Sequence, residues 1–309
     1  MKKLLTTLSA AIIAITSFAQ QDFMVSQYMF NELILNPAYA GTHEVPTVSA
    51  LFRKQWMGFT GAPTTTFLTY QAKAPSINSG YGVILSNDNI GVSHQTDLLG
   101  VYSYQLKTGK NSTVSFGMQA GVSFYKANLT ELDFWDEADA EFQNNLGMSV
   151  HPNFGFGLYH YVDNDYFVGI STPRVVEYNT NNFLSVKQKE VLKQQRHYYL
   201  HGGKVLELND NKTVLKPSVL LKYFPGVAYQ VDINMNVYYN KLIGAGISYR
   251  TQESIVLLAD AIVYDNLRLG IAYDIPIGKL SSYHSGSFEV MLSYDIQKNS
   301  SSAKFPRYF

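Results

Sequence analysis

The chain contains no cysteine, which removes disulfide scaffolds, thiolate metal sites, cysteine nucleophiles and the lipid-modified cysteine of a bacterial lipoprotein. Charge is scarce as well: charged residues make up 16% of 309, and 24 Lys+Arg balance 24 Asp+Glu. With no dense basic run, the sequence lacks the electrostatic footprint of a nucleic-acid binder or of a protein that coats an anionic membrane surface. Beyond the first residues there is no apolar run approaching the about 20 residues of a transmembrane helix. The mean hydropathy of −0.09 is far below that of a helical membrane protein. Aromatic residues, in contrast, are abundant at 14%, with 23 Tyr and 18 Phe against 2 Trp. Tyr enrichment suits sheets and the aromatic girdles of membrane barrels.

Residues 1–19 have the layout of a secretory signal peptide, the alternative being a membrane anchor. Lys2 and Lys3 precede a mostly apolar stretch from Leu4 to Ile15, and Ser17 and Ala19 are the small residues before a cleavage site. Thr6, Thr7 and Ser9 interrupt the stretch, which is too short to span a bilayer. The chain is therefore expected to leave the cytoplasm.

Beyond that point the dominant signal is a period of two over long runs. From Thr113 to Tyr125, Val114, Phe116, Met118, Ala120, Val122 and Phe124 fall on one face, and polar or small residues fall on the other. The run 226–239 repeats the pattern. Such runs are about twice an ordinary strand of five or six residues, and long enough for a tilted strand to cross the hydrocarbon layer. Strands are expected near 46–56, 63–74, 80–88, 94–107, 111–126, 151–161, 164–172, 196–208, 212–224, 226–239, 241–250, 253–264, 266–275 and 285–297. They make an all-β fold, a transmembrane antiparallel β-barrel of about 14 strands in the outer membrane. Lipid requires such a sheet to close on itself. A large soluble sandwich or propeller also alternates, but its strands are shorter and no blade repeat is visible.

The expected organisation is a signal peptide at 1–19, an N-terminal periplasmic or lumen-folded arm at 20–45, the barrel at 46–297 and a polar tail at 298–309. Short turns such as Thr108 to Asn111 alternate with longer polar stretches at 127–149 and 173–195, as at the two rims of a barrel. Arg53, Lys73, Asp97, Lys107, Lys216, Lys222, Asp232, Arg250, Arg268, Asp274, Glu289 and Asp295 are expected to face the lumen or reach the rims. On the lipid face a charge near the midplane would cost about 2–4 kcal/mol. Aromatics and glycines on the polar face, among them Tyr125, Tyr238, Gly117 and Gly121, suggest a partly filled interior.

Nothing marks catalysis. The seven histidines (His43, His94, His151, His160, His197, His201 and His284) lie in no nucleophile elbow or zinc-binding helix. His197 and His201 share a strand face, but about 13 Å separates side chains four apart along a strand, too far to chelate one ion. Asp133, Asp136, Glu137, Asp139 and Glu141 form an acidic loop without calcium-loop spacing. The expectation is a non-enzyme with no cofactor and no metal.

Specific residues then match a known family. Asn36-Pro37-Ala38-Tyr39-Ala40-Gly41 resembles the N-terminal signature of the PorP/SprF family of type IX secretion system outer-membrane proteins. Arg53-Lys54-Gln55-Trp56 with Gly58, Gly61, Pro63 and Thr64, then Gly80-Tyr81-Gly82-Val83 and Asn153 to Tyr159, resemble later family segments in the same order. Phe167 to Ser171, Arg196 to Tyr199, Pro217 to Leu220, Ser248-Tyr249-Arg250 and Gly286 to Glu289 continue the likeness across most of the chain. Phe288 stands where a family histidine is expected, and the 127–149 loop lacks an Asp-Pro step.

The resemblance implies a non-catalytic role: accepting, and anchoring at the cell surface, a large secreted adhesin with a type IX C-terminal sorting domain, in gliding or adhesion. It implies further partners in translocon components and a peptidoglycan-associated periplasmic lipoprotein. Candidate partner-binding residues are Asn36, Pro37, Tyr39, Gly41, Arg53 and Trp56 from the motifs, with Phe305, Arg307, Tyr308 and Phe309 from a tail that could dock a periplasmic partner. Barrel physics alone equally allows an outer-membrane channel or small hydrophobic-molecule transporter.

Overall fold

A computed structural model describes residues 24–131, 145–176, 196–208, 212–225, 229–264, 266–279 and 281–296. The signal peptide, the acidic-loop residues Asp133 to Glu141 and the tail with Phe305, Arg307, Tyr308 and Phe309 lie outside the described residues.

The alternating runs form one antiparallel sheet: β1 (Thr47–Lys54), β2 (Thr64–Ala74), β3 (Ser79–Ile90), β4 (Ser93–Lys107), β5 (Ser112–Ala127), β6 (Leu146–Val162), β7 (Tyr166–Thr172), β8 (Tyr198–Lys204), β9 (Leu206–Glu207), β10 (Thr213–Tyr223), β11 (Gln230–Tyr239), β12 (Ile243–Arg250), β13 (Ser254–Tyr264), β14 (Leu267–Pro276) and β15 (Ser287–Asp295). β8 and the two-residue β9 both pair with β10 and are one wall strand interrupted at Val205, so the barrel has fourteen strands. It closes where β1 pairs with β15, from Thr47 opposite Asp295 to Lys54 opposite Phe288. Closure satisfies the backbone groups that an open sheet would leave unpaired in lipid.

Alternation decides which side chain faces which solvent. On β5, Phe116 and Met118 are exposed to the outside while Ser115, Gly117 and Gln119 turn inward and are buried. Phe52, Leu68, Val83, Leu257 and Ile271 continue the apolar outer surface. Phe288 also points outward, so the site of the absent family histidine faces away from the lumen. The charges behave as expected. Arg53, Asp97, Lys216, Lys222, Asp232, Arg250, Asp274 and Glu289 are buried on the inner face, Lys73, Arg268 and Asp295 are half-buried, and Lys107 is exposed at its strand end.

An even strand number brings the start of β1 and the end of β15 to the same rim. That rim also carries the short turns 75–78, 108–111, 163–165 and 240–242. The longest connections, 128–145, 173–197 and 277–286, all lie at the other. Short periplasmic turns and long external loops characterise outer-membrane barrels, which makes the terminal rim periplasmic.

Candidate functional site

Residues 24–42 occupy the lumen; all are buried except the half-buried Phe30. The segment runs as three short 3-10 turns, Tyr28–Phe30, Glu32–Ile34 and Pro37–Tyr39. Its path is fixed by three groups of wall contacts.

At the outer end, Ser26 sits in an ion-pair network. Its backbone N–H and that of Gln27 donate to the Glu289 carboxylate, both at 2.8 Å. Its hydroxyl donates to Asp274 at 2.8 Å and accepts from Arg53 at 2.9 Å and Arg250 at 3.2 Å. Arg53 pairs with Asp274 at 2.7 Å and Glu289 at 3.1 Å. Arg250 pairs with Asp274 at 3.1 Å, Asp232 at 3.2 Å and Glu253 at 3.3 Å, and Lys222 joins Asp232 at 3.1 Å. Arg53 reaches Asp274 and Glu289 only because β1 and β15 close the barrel.

In the middle, Leu33 is fully buried, and Tyr28, Met29 and Leu33 form an apolar core with Leu51, Phe67, Leu220 and Met291 of the wall. Each fully buried apolar side chain of this kind contributes about 1.5–3 kcal/mol relative to exposure. Polar contacts flank it. His201 Nδ1 lies 3.3 Å from the Glu32 carboxylate, Asn31 donates to Thr69 at 2.7 Å, and the Lys216 ammonium donates to the Met29 carbonyl at 3.4 Å.

Toward the periplasmic rim lies the Asn36 to Gly41 motif, whose residues can be explained one by one. The Asn36 carboxamide oxygen accepts from the Ala38 N–H at 2.9 Å, capping the turn that Pro37 begins with its preset φ. Its amide group donates to the Leu158 carbonyl at 3.1 Å and lies 3.3 Å from His201 Nε2. The carbonyls of Leu35, Ala38 and Ala40 accept from Ser171, Ser115 and Ser103 at 2.7, 2.6 and 2.7 Å. Tyr39 meets Tyr159 edge-on at 5.6 Å and contacts His43, which continues through Thr47 to Asp295 at the mouth of β1. Gly41 has φ +69°, the left-handed region that favours glycine.

The wall is shaped to this segment. A Cβ at Gly117 would overlap the backbone of Pro37 and Ala38, one at Gly157 would meet the Asn36 side chain, and one at Gly80 would meet the backbone of Ala40 and Gly41. Gly117 and Gly157 are register partners, so together they form a recess for the motif. Glycine costs strand stability, and its use here fits close backbone approach.

Above the Ser26 network the lumen opens into an outer vestibule of about 750 Å³. Met24, Phe224, Tyr229, Trp56 and His284 supply its apolar and aromatic lining, and Gln230, Gln252, Glu253, Ser254 and Lys279 its polar groups. Trp56 and Gln252 both have left-handed backbones, φ 44° and 62°, and the Trp56 and His284 rings lie 6.2 Å apart.

Of the candidate binding residues, Asn36, Pro37, Tyr39, Gly41 and Arg53 are thus buried in the lumen and in contact with the chain's own wall or plug. No partner docking from outside reaches them with the plug in place. Among the described candidates, Trp56 alone lies at an accessible mouth. Ser26, Glu32 and Leu33, which carry much of the plug's attachment, have no motif of their own. The inward glycines were the available signal, since an interior-strand glycine marks close approach.

Over residues 17–294 the sequence matches the family described as type IX secretion system membrane protein PorP/SprF. A comparison with curated proteins finds no match. Among solved structures, the chain is similar to the monoaromatic hydrocarbon channel CymD (TM-score 0.51, 11% identity, 89% of this chain and 94% of that one). It is also similar to the P. putida toluene transporter TodX (TM-score 0.50, 9% identity, 90% and 95%). At these identities the likeness concerns the outer-membrane barrel fold alone.

Proposed function

Because the chain belongs to the PorP/SprF family of type IX secretion system membrane proteins, we propose that this outer-membrane barrel accepts a secreted adhesin and anchors it at the cell surface through the adhesin's C-terminal sorting domain. Its partners would be that adhesin, translocon components and a peptidoglycan-associated periplasmic lipoprotein. Family and fold are of non-enzymatic kinds, and the proposed role uses no catalysis. The observation that carries the reading is the plug: residues 24–42 fill the lumen from the outer mouth to the periplasmic rim, held by an apolar core and by hydrogen bonds from Ser26 and Gln27 into the ion-pair network of the wall. A filled barrel supports a fixed platform in the membrane. It counts against the alternative of a channel or small hydrophobic-molecule transporter, which needs a continuous path.

The test is deletion of the gene in its own cell and complementation with the wild type. The expected outcome is loss of a sorting-domain adhesin from the cell surface, with the adhesin retained in the cell or shed to the medium, and its return on complementation. An unchanged surface complement, with altered uptake of small hydrophobic solutes, would favour the transporter.

A further inference from the structure

We infer that the outer vestibule is a receptor for an extended polypeptide segment carrying a basic side chain, with Glu253 and Ser254 as its recognition groups. The inference rests on the reading that the barrel accepts a secreted polypeptide, and adds where and by what chemistry it does so.

Several observations converge on this mouth. Its volume of about 750 Å³ falls within the range of built ligand sites, and the plug closes its floor, so an occupant enters only from outside. Ser254 lines the cavity at 3% exposure, yet among the described residues its hydroxyl has no hydrogen-bond partner. A buried hydroxyl left unsatisfied is costly, and a peptide N–H or C=O is a group that would satisfy it. The ion-pair network beneath is unbalanced among the described residues. Asp232, Glu253, Asp274 and Glu289 supply four carboxylates against the three cations Arg53, Lys222 and Arg250.

Within that network Glu253 opens to the cavity, its side chain 25% exposed, while the other three carboxylates are at 4% or less. A Lys or Arg side chain of the occupant would restore the balance through a charge-assisted hydrogen bond. Lys279, also in the lining, is exposed on the 277–286 loop and does not join the network. Around this charge, Trp56, His284 and the 71%-exposed Tyr229 offer aromatic surface to a neighbouring side chain. The left-handed backbones of Trp56 and Gln252 both fall here, and strained residues of this kind cluster at sites of function. A neutral glycan could stack on the same rings, but it would leave the extra negative charge unmatched.

The experiment uses the full-length protein in detergent micelles. The probes are fluorescein-labelled dodecamer peptides tiling the sorting domains of the type IX cargo of the same cell, alongside the intact sorting domains. Bound peptides should contain Lys or Arg next to an aromatic residue, and affinity should fall as salt rises. Replacing the basic residue by Gln, or Glu253→Gln in the barrel, should weaken binding by about tenfold or more, with Ser254→Ala weaker by several-fold. Heat-modifiable gel mobility verifies that each variant barrel is folded, and Lys107→Gln, exposed at the opposite rim, should bind as wild type does.

Preference for acidic peptides, or equal binding of peptides and intact domains by wild type and Glu253→Gln, would overturn the site and leave the anchoring role standing. So would binding of neutral oligosaccharides in place of peptides. Failure of the wild type to bind any intact sorting domain would instead overturn the anchoring role.

Discussion

If the wall is carved to fit the plug, one methyl group at Gly117 should unseat it. Gly117 faces inward on β5, and its added Cβ would fall inside the 3.0 Å below which real Cβ contacts essentially never occur, against the Pro37 and Ala38 backbone. Backbone cannot rotate away as a long side chain can, so Gly117→Ala must displace the Asn36 to Gly41 turn. The displacement strains the Ser115 bond to Ala38, the Asn36 bond to Leu158 and the Tyr39 packing on Tyr159. A buried polar group left without its partner costs about 1–3 kcal/mol, so two such bonds amount to about 2–6 kcal/mol. The outer apolar surface and the strand ladder are untouched, so the barrel should still insert. The control is Gly100→Ala on the outer face of β4, where the new Cβ meets only the Ala120 carbonyl at an ordinary 3.7 Å.

Urea unfolding followed by heat-modifiable mobility, together with single-channel recording in a planar bilayer, reads both consequences. Gly117→Ala should unfold at lower urea and show conductance bursts absent from wild type and from Gly100→Ala. A Gly117→Ala protein with wild-type unfolding and a silent bilayer would refute the close fit.

Other outcomes follow from the same contacts. Arg53→Met should leave Asp274 and Glu289 buried without a principal cation, at a cost of about 3–5 kcal/mol, measured by urea unfolding. Leu33→Ala, in the middle of the plug's apolar core, should cost about 2–5 kcal/mol and speed proteolysis of the 24–42 segment in the folded barrel. Met118→Arg puts a cation on the outer apolar face of β5 and should lower stability in bilayers by about 2–4 kcal/mol, whereas a Met118→Leu change should be nearly neutral.

Much of the barrel was legible because period two is a local signal. From Val114 to Tyr125 the alternation alone separated the residues that face lipid from those that face the lumen, and all fourteen expected strands have counterparts. Edges were less legible: β6 begins at Leu146, not near 151, because its outer end pairs with β5 beyond the most regular alternation. What sequence could not supply were contacts set by closure. Arg53 and Glu289 are 236 positions apart, and their pairing depends on the β1–β15 register. The Asn36 to Gly41 motif was visible as a unit, but its seat between Gly117, Gly157 and Gly80 depends on the register of β5 with β6 and on the more distant β3. Ser26, a lone small polar residue, had no pattern to mark it, although it meets two arginines and two carboxylates.

The most direct test of the anchoring role is affinity purification of the tagged protein from its native outer membrane in mild detergent, with mass spectrometry of the chains that come with it. A large secreted protein ending in a type IX sorting domain should co-purify, in stable proportion to the barrel, and be lost when that domain is deleted. A solitary barrel recovered from secretion-competent cells would contradict the anchoring role.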